Sequence, residues 1–380
     1  MAAAASAPGA WRAWLLAFGL ALAVLAGPAF PTYRHYDFSH SRDTLTYLSL
    51  ARGDYAGLSV TRRYRVVVPW LARALVAPAH LVAARGRLHA PAAALPADAA
   101  LRLAFLVVNT VLLAATGALV FRTAQAAGAT PLAAAAGMVV ALSSRWATYS
   151  AALPLTDSLY LLTFALGLYG VVRGAGWAIL AAALVGPVAK ESFVFVVPWL
   201  VWFGRRSVPL PALLAALAGG YGAVAATHAY IDARAGAEAS ASVGNAFAHL
   251  SNVTYSLRRL FSAHGLSEMF SIFGPGWLLL LAGGTAGLRW SWQQLGPAGR
   301  WLGLTLVPHL LLSGDLGRMG YLAFAVFGVV LALIFQRLAQ TGGILAERGG
   351  GASAGAGAGA SANAGANAGA SAGASIDSGP

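Results

Sequence analysis

Residues 12–29, 99–121 and 208–230 are apolar runs long enough to carry a helix across a hydrocarbon core, and shorter apolar runs recur as far as residue 337. That repetition constrains the fold more than any single motif. A chain that buries such runs in lipid must satisfy every backbone N–H and C=O internally, which leaves helices as the economical solution. With 58% hydrophobic and 10% charged residues, the chain lies outside the range of soluble domains. The expected fold class is an all-α polytopic membrane protein.

Ten spans are predicted, at about 12–29, 99–121, 131–147, 156–172, 175–189, 192–204, 208–230, 271–288, 300–314 and 319–337. Residues 11–30 read as an uncleaved first span, because the small-residue site needed after a signal peptide is only loosely matched near Ala26. Segment 65–84 holds Pro69, Arg73, Pro78 and His80 and is placed as an interfacial or re-entrant helix outside.

Charge sets the threading. With the N-terminus inside, Arg122, Arg173, Arg205, Arg206, Arg289, Arg300 and Arg337 fall in cytoplasmic loops, as the positive-inside rule expects. Ten of the twelve acids then fall outside, leaving Glu347 and Asp377 within. Two large outer loops result, about 30–98 and 231–270. In the first, Leu45, Leu48, Leu50 and Ala51 give the stretch after "SHSRD" an apolar face for lying on the membrane. In the second, Phe247, Leu250, Val253 and Leu257 recur at helical spacing. Residues 1–347 form the membrane domain. Residues 348–380, almost purely Gly, Ala, Ser and Asn, have too little apolar area to offset their ordering entropy and are expected to be a disordered tail.

The net charge of +13 sits on arginines flanking spans, which assigns it to anionic membrane lipid rather than to nucleic acid. No cysteine is present, which excludes disulfides and thiolate metal sites. High alanine and arginine over lysine suit a GC-rich bacterial genome, hence a plasma membrane with both termini cytoplasmic.

Four polar clusters fall at outer span ends, where an ionisable side chain is costly unless solvated or paired. They are Asp37 with Asp43, Asp157 in "ALPLTDSLYLL", Lys190 beside Glu191 in "PVAKESFVFVVP", and Asp315 with Arg318 in "LLSGDLGRMGY". Lys190 is the only lysine among 25 basic residues. At a short turn between two spans, it and Glu191 would both reach an outward cavity. Asp157 also reads as a plain acid at a helix N-terminus, and Lys190 as a snorkelling cation. Tandem Arg62, Arg63 and Arg65 in "TRRYR" are candidates for a phosphate headgroup or for solvated charge. His35, Asp37, His40 and Asp43 lie within nine residues, so a divalent cation is the cofactor those acids would admit.

With "RDTLTYLSLARGDY", "YRVVVPWLARAL", "PLTDSLYLL", "AKESFVFVVP" and "GDLGRM" in this order, the chain resembles the GT-C superfamily of membrane glycosyltransferases. The likeness in layout covers about residues 12 to 337. It departs in having no paired acidic motif and no large soluble C-terminal domain. The resemblance implies a polyprenyl-phosphate sugar donor, a glycan or lipid acceptor, and an essential acid in the first outer loop. It points to Asp43 as catalytic base. Arg318 and Lys190 would meet the phosphate, Arg62, Arg63 and Arg65 the carrier headgroup, and Asp37, Glu191, Asp157 and Asp315 would position substrate or cations. The chemistry suits the side chains: a carboxylate takes the acceptor proton, and fixed cations meet the charge growing on the leaving phosphate. The other readings of such a chain are a transporter or flippase for a lipid-linked or anionic substrate, and a non-catalytic subunit of a glycopolymer assembly complex.

Overall fold

A computed structural model describes residues 10–84, 97–236 and 252–357, and every regular element among them is helical. The chain divides into two compact units, Met1–Gln336 and Arg337–Pro380.

In the first unit, α1 (Ala10–His35) is followed by two short helices, α2 (Arg42–Arg52) and α3 (Val60–Arg63), and then by α4 (Val67–Ala84). The long α5 (Ala97–Ala126) packs against α1, α4, α6 (Pro131–Leu142), α7 (Arg145–Ala152) and α8 (Asp157–Arg173), which makes it the axis of the bundle. Next, α9 (Gly176–Ala189) packs on α8 and on α11 (Leu210–Ala235), with a 3-10 turn (Glu191–Phe195) and α10 (Val197–Gly204) between. A helical stretch at 252–260 leads to α12 (Ala263–Phe273), α13 (Gly276–Leu304), α14 (Leu306–Ser313), α15 (Leu316–Gly320) and α16 (Phe324–Gly357). The second unit is helical from Arg337 to Gly357, which takes in the first residues of the expected tail; residues 358–380 lie outside the described part.

Four helical segments are long and apolar enough to cross a membrane: Trp11–His35, Asp98–Ala126, Leu210–Ala235 and Leu316–Thr341. A fifth is counted if Ala263–Phe273 and Gly276–Ser313, bent by 89°, act as one span. The described residues are thus all-helical, with four or five helical segments of membrane-crossing length and apolarity, consistent with an α-helical membrane protein. The other predicted spans are helical but short or broken. Segment 131–147 breaks after Leu142, because Ser144 caps a new helix by accepting from the Trp146 N–H at 3.1 Å. Segment 192–204 opens in the 3-10 turn before α10 begins.

The expected membrane face of α2 is corrected. Leu48, Leu50 and Ala51 are buried in the core of the chain, and only Leu45 of that set is exposed. An apolar stripe has the same spacing whether it meets lipid or protein, and here α4 and α5 cover it. Phe247 and Leu250 lie outside the described residues.

Candidate functional site

The site begins with three local structures that bring helix ends together. The first is the turn before α8. Buried Asn109 of α5 donates to the carbonyls of Leu153 and Leu155 at 2.9 and 3.1 Å, and the Ser158 hydroxyl donates back to Asn109 Oδ1. Those bonds hold "LPLT" in place and present Asp157 as the first residue of α8.

The second is the break at Lys190. Its extended backbone (φ −164°, ψ 136°) ends α9, and the chain returns through the 3-10 turn. A Cβ on Gly186 would lie 2.4 Å from the Phe193 ring, so the bare backbone there lets the turn fold back on α9. The third is α15. Asp315 caps it by accepting from the Arg318 N–H at 3.0 Å. From behind, Glu268 Oε1 accepts from the Gly317 N–H at 2.8 Å, while Arg259 holds Glu268 Oε2 at 2.7 Å. A Cβ on Gly317 would strike the Trp146 ring at 2.4 Å.

Together these ends build one charged network. Arg318 Nε donates to Asp157 Oδ2 at 2.6 Å and its Nη1 to Asp43 Oδ2 at 2.6 Å, so one planar guanidinium joins two acids. Lys190 Nζ lies 3.4 Å from the other Asp157 oxygen, 3.5 Å from Met319 Sδ and over the Tyr160 ring. Arg62 Nε engages Asp43 Oδ1. Arg65 forks onto Glu191 Oε2, with Nε and Nη2 both at 3.1 Å.

A cavity of about 730 Å³ opens on this network. Its charged lining is Asp43, Arg62, Arg65, Lys190, Glu191, Asp315 and Arg318, and Val194, Phe195, Leu312 and Met319 add an apolar wall. Asp157 lies beneath, 4% exposed, as counterion to two of the cations. Eight of the ten candidate residues thus belong to the cavity or its floor.

The other two do not. Asp37 is exposed and turns onto its own loop, where Ser39 donates to it from backbone and hydroxyl and His40 lies 3.3 Å away. Those two donors hold its carboxyl below the usual carboxylate range. Arg63 is buried on the opposite side of α3 from Arg62. It pairs with Asp232 at 2.9 Å and donates to the Tyr64 hydroxyl at 2.7 Å, because neighbours in a helical turn point about 100° apart. Among the described residues no three His, Asp or Glu side chains gather where they could hold a metal ion. His35 and Asp43 do not join the Asp37–His40 pair.

Tyr160 and His309 escaped the sequence reading. The Thr305 carbonyl accepts from His309 Nδ1 at 2.8 Å, and the Tyr160 hydroxyl shares Nε2 at 2.7 Å. His309 lines the cavity. A lone histidine in the apolar run "LVPHLLL" and a tyrosine one helical turn after Asp157 were the available signals.

The electrostatics follow from burial. Burial pushes the Lys190 ammonium down to about 8, against the pull of Asp157. Burial also raises the Asp315 carboxyl, opposed by the Arg318 N–H. Burial alone would lower Arg65, but Glu191, Tyr47 and Asp157 together outweigh it and hold the guanidinium above its ordinary value.

For Lys190 the sign gives a prediction. A lysine whose folded value of about 8 lies below its ordinary 10.5 carries a folding cost that is fully present below pH 8 and fades as pH rises to 10.5. In detergent, the melting temperature of the wild type relative to Lys190→Met should therefore rise across that window. A flat difference would mean that Asp157 keeps the ammonium charged throughout.

No protein-family model, no curated protein and no solved structure matches this chain.

Proposed function

We propose that the protein is an integral membrane glycosyltransferase of GT-C type. It moves a sugar from a polyprenyl-phosphate donor to a glycan or lipid acceptor on the outer face of a cell membrane. One observation carries the reading: four cations and three carboxylates line a single cavity that also has an apolar wall. Such a cavity suits an amphiphile with an anionic head. Cations arranged in advance favour charge developing on a leaving phosphate, and a carboxylate beside them suits proton removal from an acceptor hydroxyl. In this scheme Asp43 is the base. Arg318, Lys190, Arg62 and Arg65 form the phosphate environment.

The ten-span threading belongs to the same proposal. The start of α8, the end of α9, the end of α14 and the start of α15 meet at the cavity, and the threading assigns each of them to the outer side. A membrane-impermeant thiol reagent on intact cells tests it, since single cysteines are readily placed in this cysteine-free chain. A cysteine at Ser313 should label and one at Ser207 should not; the reverse pattern would invert the topology.

The activity is tested with purified protein in nanodiscs and a panel of polyprenyl-phosphate sugars. Acceptor-dependent release of polyprenyl phosphate is expected. No release with any donor would overturn the proposal. Movement of intact donor across a proteoliposome membrane would replace it with a flippase.

A further inference from the structure

The carboxylates around the cavity are not equally committed. Asp157 is 4% exposed and held by Arg318 and Lys190, and Asp43 is 18% exposed and held by Arg62 and Arg318. Glu191 is 41% exposed, and Arg65 is the one cation among the described residues that it pairs with. Arg65 itself is 18% exposed and faces the cavity. Releasing Glu191 breaks the single pairing of a carboxylate already partly in water, whereas releasing either aspartate breaks pairings with two cations. Of the carboxylates paired with a cation at this site, Glu191 is the one that an incoming anion can displace.

We propose that Arg65 is the receptor for the phosphate that leaves the donor, and that Glu191 is its resident counterion, surrendered to a group with more than one negative charge. The inference rests on the transferase reading. In that reaction the acceptor oxygen bonds to the anomeric carbon and the anomeric C–O bond to phosphate breaks. The electron pair of the broken bond goes to the phosphate oxygen, and the acceptor proton goes to Asp43. The donor is a phosphodiester with one negative charge, and the product is a monoester carrying about −1.5 to −2 near neutral pH. A monoanionic donor offers Arg65 no more charge than tethered Glu191 already does. A dianionic product does, so the guanidinium changes partner as the bond breaks. Glu191 is then a specificity-determining residue that keeps Arg65 from tightening on the donor before the sugar departs, which is where a fixed cation contributes to rate.

Binding to the purified full chain in neutral detergent at pH 8 tests this by calorimetry. The probes are decyl phosphate as product-like monoester, decyl methyl phosphate as donor-like diester, and inorganic phosphate. Wild type should prefer the monoester to the diester. Glu191→Gln should tighten diester binding about tenfold, the lower end of what one charge-assisted contact is worth, and so narrow that preference. Glu191→Asp, which shortens the carboxylate's reach, should fall between and covers the case in which Glu191→Gln does not fold. Unchanged or weaker diester binding in a variant that melts like wild type would overturn the counterion role and leave the transferase reading standing. Failure of wild type and both variants to bind any probe would overturn both. Inorganic phosphate binding as tightly as decyl phosphate would assign the receptor to a free anion and overturn its link to a lipid carrier.

Discussion

Asp43→Asn should lower turnover by about 10²- to 10⁴-fold, the range typical of losing a general base, while expression and melting stay near wild type. Asp43 opens α2 and lines the cavity with both carboxylate oxygens in use, Oδ1 toward Arg62 and Oδ2 toward Arg318. Each oxygen keeps a second lone pair, and Arg62 is 35% exposed and can swing away as substrate enters. Asparagine preserves the shape and one acceptor but cannot take the proton. Asp37→Asn should hurt far less, because Asp37 engages Ser39 and His40 on an exposed loop outside the cavity. Release of polyprenyl phosphate, measured on both variants, decides it. Near-normal turnover in Asp43→Asn would remove the assignment.

Asp157→Asn should destabilise the fold by about 3–5 kcal/mol, the usual consequence of removing one partner from a buried ionic group. Asp157 is the shared counterion of Arg318 and Lys190, and the neutral amide would leave buried Lys190 without a counterion and Arg318 with Asp43 alone. Adding Lys190→Met should recover part of the loss, since it removes the stranded charge while keeping an apolar stem against Tyr160 and Met319. Melting in detergent on the single and double variants measures this. A small loss in the single variant, with no recovery in the double, would show that water reaches the pair and screens it.

These two acids illustrate how far the candidate site could be read in advance. Asp157 and Lys190 are conspicuous in sequence because each interrupts an apolar stretch, and their joint role at one cavity follows from that cost of burial. Their partners are not readable in the same way. Arg318 reaches Asp43 across 275 positions and Asp157 across 161, and nothing local to any of the three encodes that meeting. The tandem "TRRYR" shows the same limit at short range. Its three arginines look alike as letters, yet the short α3 and the link after it send Arg62 and Arg65 to the cavity and Arg63 to Asp232.

By itself the sequence determined that the chain is helical and belongs in a membrane. It marked the polar interruptions of its apolar runs, because hydropathy and the cost of unpaired backbone in lipid are sums over neighbouring residues. Only the tertiary structure decided which runs are long spans and which break, as at Ser143–Ser144 and after Lys190, where caps and close backbone contacts outweigh a continuous apolar pattern. It also decided that the face of α2 turns inward, that His309 and Tyr160 join the site, and which acids each cation meets. Pairing of buried charge is settled by distance and desolvation in three dimensions, and residues far apart in the chain carry no local record of it.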